Sequence, residues 1–415
     1  MSQSAVEFMQ LSELRLDQPC GGLVEVPDLL RETLLDAPYR AASRAFDLAL
    51  EQEVDFVLLS GHTADLQRAG PRAAIFLEQQ FTRLAEKQIP VYWAAGPKDP
   101  AWEETLDGQW PRNVRIFPRN HAEIFNFERY GVPLIRLVGR SGEASAWHLN
   151  DHVITESPLF TIGLGLVPPA QPDGKRWDVD YWCLHGQASA TPAERQHLPQ
   201  VEHVWFHAAG SPQGRSFAEL HTHGCTLVSV GEDRKVKMRT CATDAVRYFD
   251  EVVTCGPRMD HKACEAAVLR RGAALREQHP TVTSIVRWTI TGEAEQLPPA
   301  WPDEWSVELL AQLRRDLAGG SHPLWSSGLR VFSAEIPAEL LAQRTLLGDY
   351  LRSLGEYEQM VRDQRSAADW PGLGTAVAAP VAEYLNWHDP AVRRQSLAEA
   401  AWWGIRLLGT EEVAG

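Results

Sequence analysis

The sequence predicts an α/β protein: a sheet of buried strands alternating with helices, a second sheet packed on it, then a small α/β domain and a helical C-terminal segment. Three observations predict it. The runs VDFVLLSG (Val54–Gly61) and VYWAAG (Val91–Gly96) are almost wholly apolar, as strands covered by neighbouring layers must be. Between them, apolar residues recur at helical spacing. From about residue 113 the pattern changes to short strands without long helices between them.

Taken in order, Phe8 to Leu14 is a short extended start. Ala42, Ala45, Phe46 and Ala49 mark one face of a helix. After the Val54–Gly61 strand, Gly70-Pro71 opens a second helix, with Ala74, Leu77, Phe81 and Leu84 on its apolar face; Pro90 ends the approach to the Val91–Gly96 strand. Each of these strands runs into a polar or glycine-bearing turn: SELRLD, SGHTAD and AGPKDP. In α/β sheets ligands bind outside the carboxyl ends of the strands, so chemistry belongs at these turns. Second-sheet candidates are Val132–Gly139, Leu159–Val167, Asp180–Leu184, His203–His207 and Gly224–Val230, with Pro168–Trp177 as a loop. Composition shifts near Cys255–Asp260. Beyond it come a helix (His261–Gln278), an alternating strand with Ser284, Val286, Trp288 and Ile290 on one face, a helix around Val307–Leu317 and a strand from Leu329 to Ile336. Leu340, Leu347, Leu351 and Leu354 form an apolar stripe, and Ala391–Leu408 is a final helix carrying Trp402 and Trp403. The expected domains are residues 1–255, 256–336 and 337–415.

Composition narrows the function. The 415 residues carry 40 Lys plus Arg against 55 Asp plus Glu, a net charge of −15. This excludes holding nucleic acid by bulk positive charge, since phosphate binding draws on clustered cations. No apolar run is long enough to span a bilayer. The first residues lack the basic and apolar regions of a secretion signal, which predicts a cytoplasmic protein. The six cysteines are scattered without a C-x-x-C pair, so reduced thiols are expected and a structural zinc site is not.

Several blocks together resemble a known family. They are LSELRLD with the following PCGGL, VDFVLLSGHTAD, IPVYWAAGPKDP, DYWCL, and above all GSPQGRSFAE followed by GCTLVSV. Over its first roughly 255 residues the chain resembles a calcineurin-like metallophosphoesterase of the SbcD type, a DNA repair exonuclease subunit. The resemblance implies a four-layer αββα sandwich, with two manganese or other divalent ions at the strand ends. It also implies a small cap domain and C-terminal helices that dock on an SbcC-like coiled-coil ATPase.

The implied ligands are where the chain departs from that family. Two-metal phosphoesterases clamp the phosphate and activate water with oxygen and imidazole ligands. The D-x-H turn reads Glu13-Leu14-Arg15 here, and arginine is a permanent cation with donors only. The bridging aspartate position holds His62. The G-N-H-D turn reads Gly96-Pro97-Lys98-Asp99, the lone histidine aligns with Leu166, and G-H-x-H has become His185-Gly186-Gln187-Ala188. All eight implied ligand positions (Glu13, Arg15, His62, Pro97, Lys98, Leu166, Gly186 and Ala188) are thus substituted. The chain reads as a pseudoenzyme without cofactor or catalytic residues, working by binding. Its expected partners are an SbcC-like ATPase, an active paralogous nuclease, or a nucleic acid end held without cleavage. The rival reading is a phosphodiesterase or DNA exonuclease with a rebuilt, mononuclear site on Glu13, His62 and Asp99.

The remaining polar residues carry smaller expectations. Arg15 or Lys98 should pair with Glu13 or Asp99, so that ion pairs replace metal cross-linking. A bolder reading lets Arg15, His62, Lys98 and Arg215 bind an anion in the vacated cleft. For Gly210–Arg215 the plainer reading is a tight turn. His221-Thr222-His223 would set two imidazoles on one side of a strand, a pair able to hold a metal only if a third ligand stands near.

Overall fold

The computed structural model describes residues 6–100, 110–142, 157–165, 179–184, 204–256, 259–292, 303–333, 338–362 and 390–408. Two compact units divide the chain: Met1–Phe249 with Thr281–Ile285, and Asp250–Pro280 with Val286–Gly415.

The first unit is built on two sheets. Strands β1 (Val6–Ser12), β2 (Phe56–Gly61), β3 (Val91–Ala95) and β4 (Val114–Ile116) run parallel in that order. Beyond β1 lie β10 (Gly224–Val230) and β11 (Val236–Ala242), antiparallel, completing the order β11-β10-β1-β2-β3-β4. The second sheet has the order β5-β6-β7-β8-β9, from β5 (Glu123–Arg129), β6 (Val132–Gly139), β7 (Phe160–Gly165), β8 (Tyr181–Leu184) and β9 (Trp205–Ala208). Only its β5–β6 pair is antiparallel.

Why β2 and β3 are apolar throughout is now visible, because both of their faces are buried. On one side Val57, Leu59, Val91 and Trp93 pack with Ala42, Phe46, Leu77 and Phe81 from helices α1 (Asp28–Glu51) and α3 (Pro71–Glu86); the short α2 (Leu66–Ala69) lies between these helices in sequence. On the other side Phe8, Phe56, Leu58 and Tyr92 meet Phe127, Leu137, Ile162 and Tyr181 of the second sheet. Phe8 stacks on Phe56 with ring centroids 4.9 Å apart. The result is a helix–sheet–sheet sandwich. A second helical layer is not found among the described residues. The outer face of the second sheet buries Val179, Trp182 and Val204.

Four local expectations need correction. Gly224–Val230 is not in the second sheet but pairs with β1 in the first. Helix α1 begins at Asp28, well before Ala42, and runs through the buried Pro38. A strand β14 occupies Leu324–Ser333, starting earlier than Leu329 and covering a Ser-Ser-Gly stretch that looks like a loop. Those serines are satisfied inside the strand: Trp288 donates its indole N–H to Ser326 Oγ at 2.9 Å, and Ser327 Oγ donates to the Val286 carbonyl at 3.0 Å. His221 and His223 do not share a strand face. They precede β10, His221 exposed at φ 71° and His223 buried.

A third sheet has the order β12-β13-β14, with β12 (Val246–Cys255) and β13 (Thr283–Gly292), whose larger parts belong to the second unit. The helices of that unit are α4 (His261–Gln278), α5 (Asp303–Leu317), α6 (Ala338–Ala342), α7 (Leu346–Arg362) and α8 (Pro390–Leu408). Asp260 caps α4, accepting the Ala263 N–H at 2.8 Å. A disulfide joins Cys255 to Cys264, which overturns the expectation of six reduced thiols; the other four are free. The predicted leucine stripe is an internal core. Leu340, Leu347, Leu351 and Leu354 pack with Ala401, Ile405 and Leu408 of α8. No described helix is long and apolar enough to cross a membrane.

Candidate functional site

Because β1, β2 and β3 are parallel neighbours, the turns after Ser12, Gly61 and Ala95 emerge side by side at one edge of the first sheet. Main-chain bonds hold them together beyond the strands: Glu13 N–H to Ser60 O at 3.0 Å, Arg15 N–H to His62 O at 3.1 Å and Gly96 N–H to Gly61 O at 3.1 Å. The approach at Gly96 is so close that a Cβ there would lie 2.9 Å from the main chain of Gly61 and His62. Glu13 and Arg15 both take left-handed backbone conformations, φ 55° and 45°, a strained choice for residues with long side chains.

The side chains of these turns bond one another, but Asp17 Oδ2 and His62 Nδ1 are buried without a hydrogen-bond partner among the described residues. Arg15 Nε donates to Glu13 Oε2 at 2.9 Å, and its Nη1 donates to Glu219 Oε1 at 3.1 Å. The other oxygen of Glu13 accepts the His62 main-chain N–H at 3.2 Å. His62 Nε2 bonds Asp17 Oδ1 at 2.8 Å, with the Asp17 side chain only 1% exposed. Burial pushes the Asp17 carboxyl up, but the hydrogen bond and charge of His62, with main-chain donors, outweigh it and hold the group below 3.8. Asp99 accepts three main-chain N–H groups, from Thr63 (2.8 Å), Ala64 (2.9 Å) and Gly96 (2.7 Å). Even against those donors, burial pushes Asp99 up to about 6.

Arg215 closes the cleft from the loop between β9 and β10, and its five N–H groups can be counted out. Nε donates to Gln18 O at 3.1 Å. Nη1 donates to Ser211 Oγ at 2.7 Å and to Gln213 O, and Nη2 to Leu14 O at 2.8 Å and Arg15 O at 3.4 Å. Burial lowers its guanidinium to about 10 while the Glu219 charge opposes the shift, so it stays cationic at neutral pH. Ser211 Oγ donates in turn to Glu13 O at 2.8 Å. The Gly210–Arg215 segment is thus a strut that stitches the first turn to the sheet.

Of the sequence-selected residues, the structure brings Glu13, Arg15, His62 and Arg215 together. Pro97 and Lys98 are exposed on the third turn. Leu166, Gly186 and Ala188 lie outside the described residues. The expected ion pairing is found at Arg15–Glu13. It is absent at Asp99, whose carboxylate is taken by N–H groups instead. Arg15 lies between two carboxylates, and the N–H groups of Arg215 are donated within the protein. Asp17 and Glu219 are not evident from the sequence; a rule points to Glu219, because an arginine in a buried turn needs acidic partners, whereas Asp17 serves His62 and carries no such signal.

Among the described residues, Glu13, His62 and Asp99 already have partners. A divalent ion would have to compete with Arg15 for Glu13 and with Asp17 for His62 Nε2, and the Asp99 carboxylate is already held by three N–H groups. Among the described residues no group of three or more His, Cys, Asp or Glu is arranged to hold a metal.

The comparison with known proteins points the same way as the fold. The chain is 27% identical over 239 residues to an uncharacterized metallophosphoesterase, YhaO, of Bacillus subtilis (strain 168). This chain is similar to a metallophosphoesterase. The match covers 54% of this chain and 57% of the relative, so it spans little more than half of either protein. No family model matches the chain. The likeness supports the calcineurin-like superfamily, and the mixed α/β sandwich is consistent with it.

Proposed function

We propose that this chain is a catalytically inactive homologue of the SbcD-type metallophosphoesterases, a cytoplasmic pseudoenzyme that acts as a binding or scaffold subunit in DNA processing. The observation that carries the reading is the position of Arg15. Its guanidinium sits between Glu13 and Glu219, in the cleft where the resemblance implies two metal ions. A fixed cation there opposes a divalent ion by charge and occupies the carboxylate that would ligate it. The net charge of −15 favours a protein partner over a bare nucleic acid. The expected partner is an SbcC-like coiled-coil ATPase or an active paralogous nuclease, since such a partner would supply the catalysis this cleft has lost.

The test is hydrolysis of bis(p-nitrophenyl) phosphate and of linear DNA by the full chain with manganese, beside an active metallophosphoesterase. Turnover should stay at the no-protein blank. Manganese-dependent turnover that disappears in His62→Ala would overturn the proposal in favour of a rebuilt enzyme.

A further inference from the structure

Away from the cleft, two free thiols face each other on neighbouring strands. Cys225 of β10 and Cys241 of β11 are directly opposed in the antiparallel register. Both side chains belong to the core on the helix-covered face of the sheet. Residues opposed in this way lie about 4.5–5.5 Å apart at Cα, within the roughly 4.4–6.8 Å that a disulfide spans. Cys225 Sγ lies 4.0 Å from the Cys241 carbonyl, and Cys241 Sγ points back toward the Arg239 carbonyl at 3.7 Å. The direct register is the arrangement that lets a disulfide link the two strands.

The two sulfurs are not equivalent. β11 is the edge strand of its sheet. Cys241 keeps 8% exposure there, while Cys225 is fully sealed. Charged groups around the pair are Arg239, two residues before Cys241, and Glu7 on β1. The hydrogen bond from Cys225 lowers the Cys241 thiol to about 7, against its burial and the Glu7 charge, with Arg239 assisting. The same hydrogen bond, with burial, raises Cys225 well above 9.0. Cys20 and Cys183, the other free thiols, are pushed up to about 12 by burial. Thiolate is the nucleophilic form, so reactivity concentrates on Cys241.

We propose that Cys225 and Cys241 form an oxidation site in which hydroperoxide converts the dithiol to a reversible cross-strand disulfide. The Cys241 thiolate attacks a peroxide oxygen; an S–O bond forms, the O–O bond breaks, and hydroxide leaves to take up a proton. The Cys225 sulfur then attacks the Cys241 sulfenic acid. An S–S bond forms, the S–O bond breaks, and a second water leaves with the Cys225 proton. Two thiols lose two electrons and one hydrogen peroxide gains them. Cys241 is the attacking residue and Cys225 the resolving one.

Peptide mapping of the full chain after hydrogen peroxide treatment tests this. Trypsin places Cys225 in Ser216–Arg234 and Cys241 in Thr240–Arg247. The expected product is a linked pair of these peptides, two hydrogens lighter than their sum and released by dithiothreitol. Before oxidation, Cys241 should alkylate at least tenfold faster than Cys20 or Cys183 at neutral pH. In Cys225→Ser the sulfenic acid should persist on Cys241 and be trapped by dimedone, and in Cys241→Ser the Cys225 thiol should remain reduced. Wild-type protein that over-oxidises Cys241 while Cys225 stays alkylatable would overturn the proposal. So would peroxide-treated protein in which neither cysteine has changed.

Discussion

At the residue scale, the cleft is held by fixed charges, and the cost of losing them is not symmetric. Arg15 serves two carboxylates whose side chains are 7% and 12% exposed. Removing it leaves Glu13 without its cation and Glu219 with Arg215 alone, 3.9 Å away, whereas removing both charges of the Arg15–Glu13 pair leaves less behind. Arg15→Met should therefore cost about 3 kcal/mol of folding stability, and Glu13→Gln added to it should restore part of the loss. Urea unfolding of the two variants checks this; equal stability of Arg15→Met and wild type would mean the network contributes nothing. The pH dependence divides between two aspartates of opposite sign. Asp17 is held below 3.8, so its contribution is complete above that value and is lost as pH falls through the lower folded-state value. Asp99 is raised to about 6, so its contribution declines as pH rises from 3.8 toward 6. Whole-protein curves mix the two. The difference between wild type and Asp17→Asn isolates the first, and it should shrink steadily below about pH 4; a difference independent of pH between 2 and 7 would contradict the Asp17–His62 assignment.

At the scale of elements, legibility in the sequence followed burial. β2 and β3 stand out as continuous apolar runs because helices cover one face and a sheet the other. β5, at the edge of its sheet, buries only Phe127 fully and reads as a weak alternation, EIFNFER. The first half of α1 is hidden by Pro38, a residue that argues against helix interiors but here lies buried in one. At Gly163 of β7 the close packing of the second sheet leaves no room for a side chain. Gly163 faces Trp182 across the β7–β8 pair, and a Cβ there would come within 2.3 Å of the indole ring. Trp182 is fully buried, so the ring has little room to retreat. Gly163→Ala should destabilise the protein by about 2 kcal/mol through overpacking, read as a lower urea midpoint with unchanged cooperativity. A neutral result would show that the second sheet yields where the packing says it cannot.

At the scale of the molecule, the sandwich does not depend on the ligand chemistry that the resemblance attaches to it. The layers rest on apolar contacts that are indifferent to what the strand-end turns carry, so Phe8, Phe56 and Phe127 can hold two sheets together whether or not Glu13 meets a metal. Substitution at the ligand positions was therefore readable from residue types alone. What replaced the ligands was not, because Asp17, Glu219 and the N–H groups around Asp99 come together only once the strands are paired. This separation of scaffold from site has a global consequence. A ligand that binds the native state alone stabilises it by about 2.7 kcal/mol when present at 100 times its Kd, so a dinuclear phosphoesterase should gain several degrees in melting temperature from manganese. On the proposed reading, the melting temperature in millimolar manganese should match that in chelator to within about 1 °C. Arg15→Ala combined with Glu219→Ala should not create such a shift either, because His62 Nε2 remains bonded to Asp17 and Asp99 remains bonded to three main-chain donors. A manganese-dependent rise of several degrees in the wild-type chain would show that the cleft rearranges around metal, and the charge-for-ion replacement argued from Arg15 would fail with it.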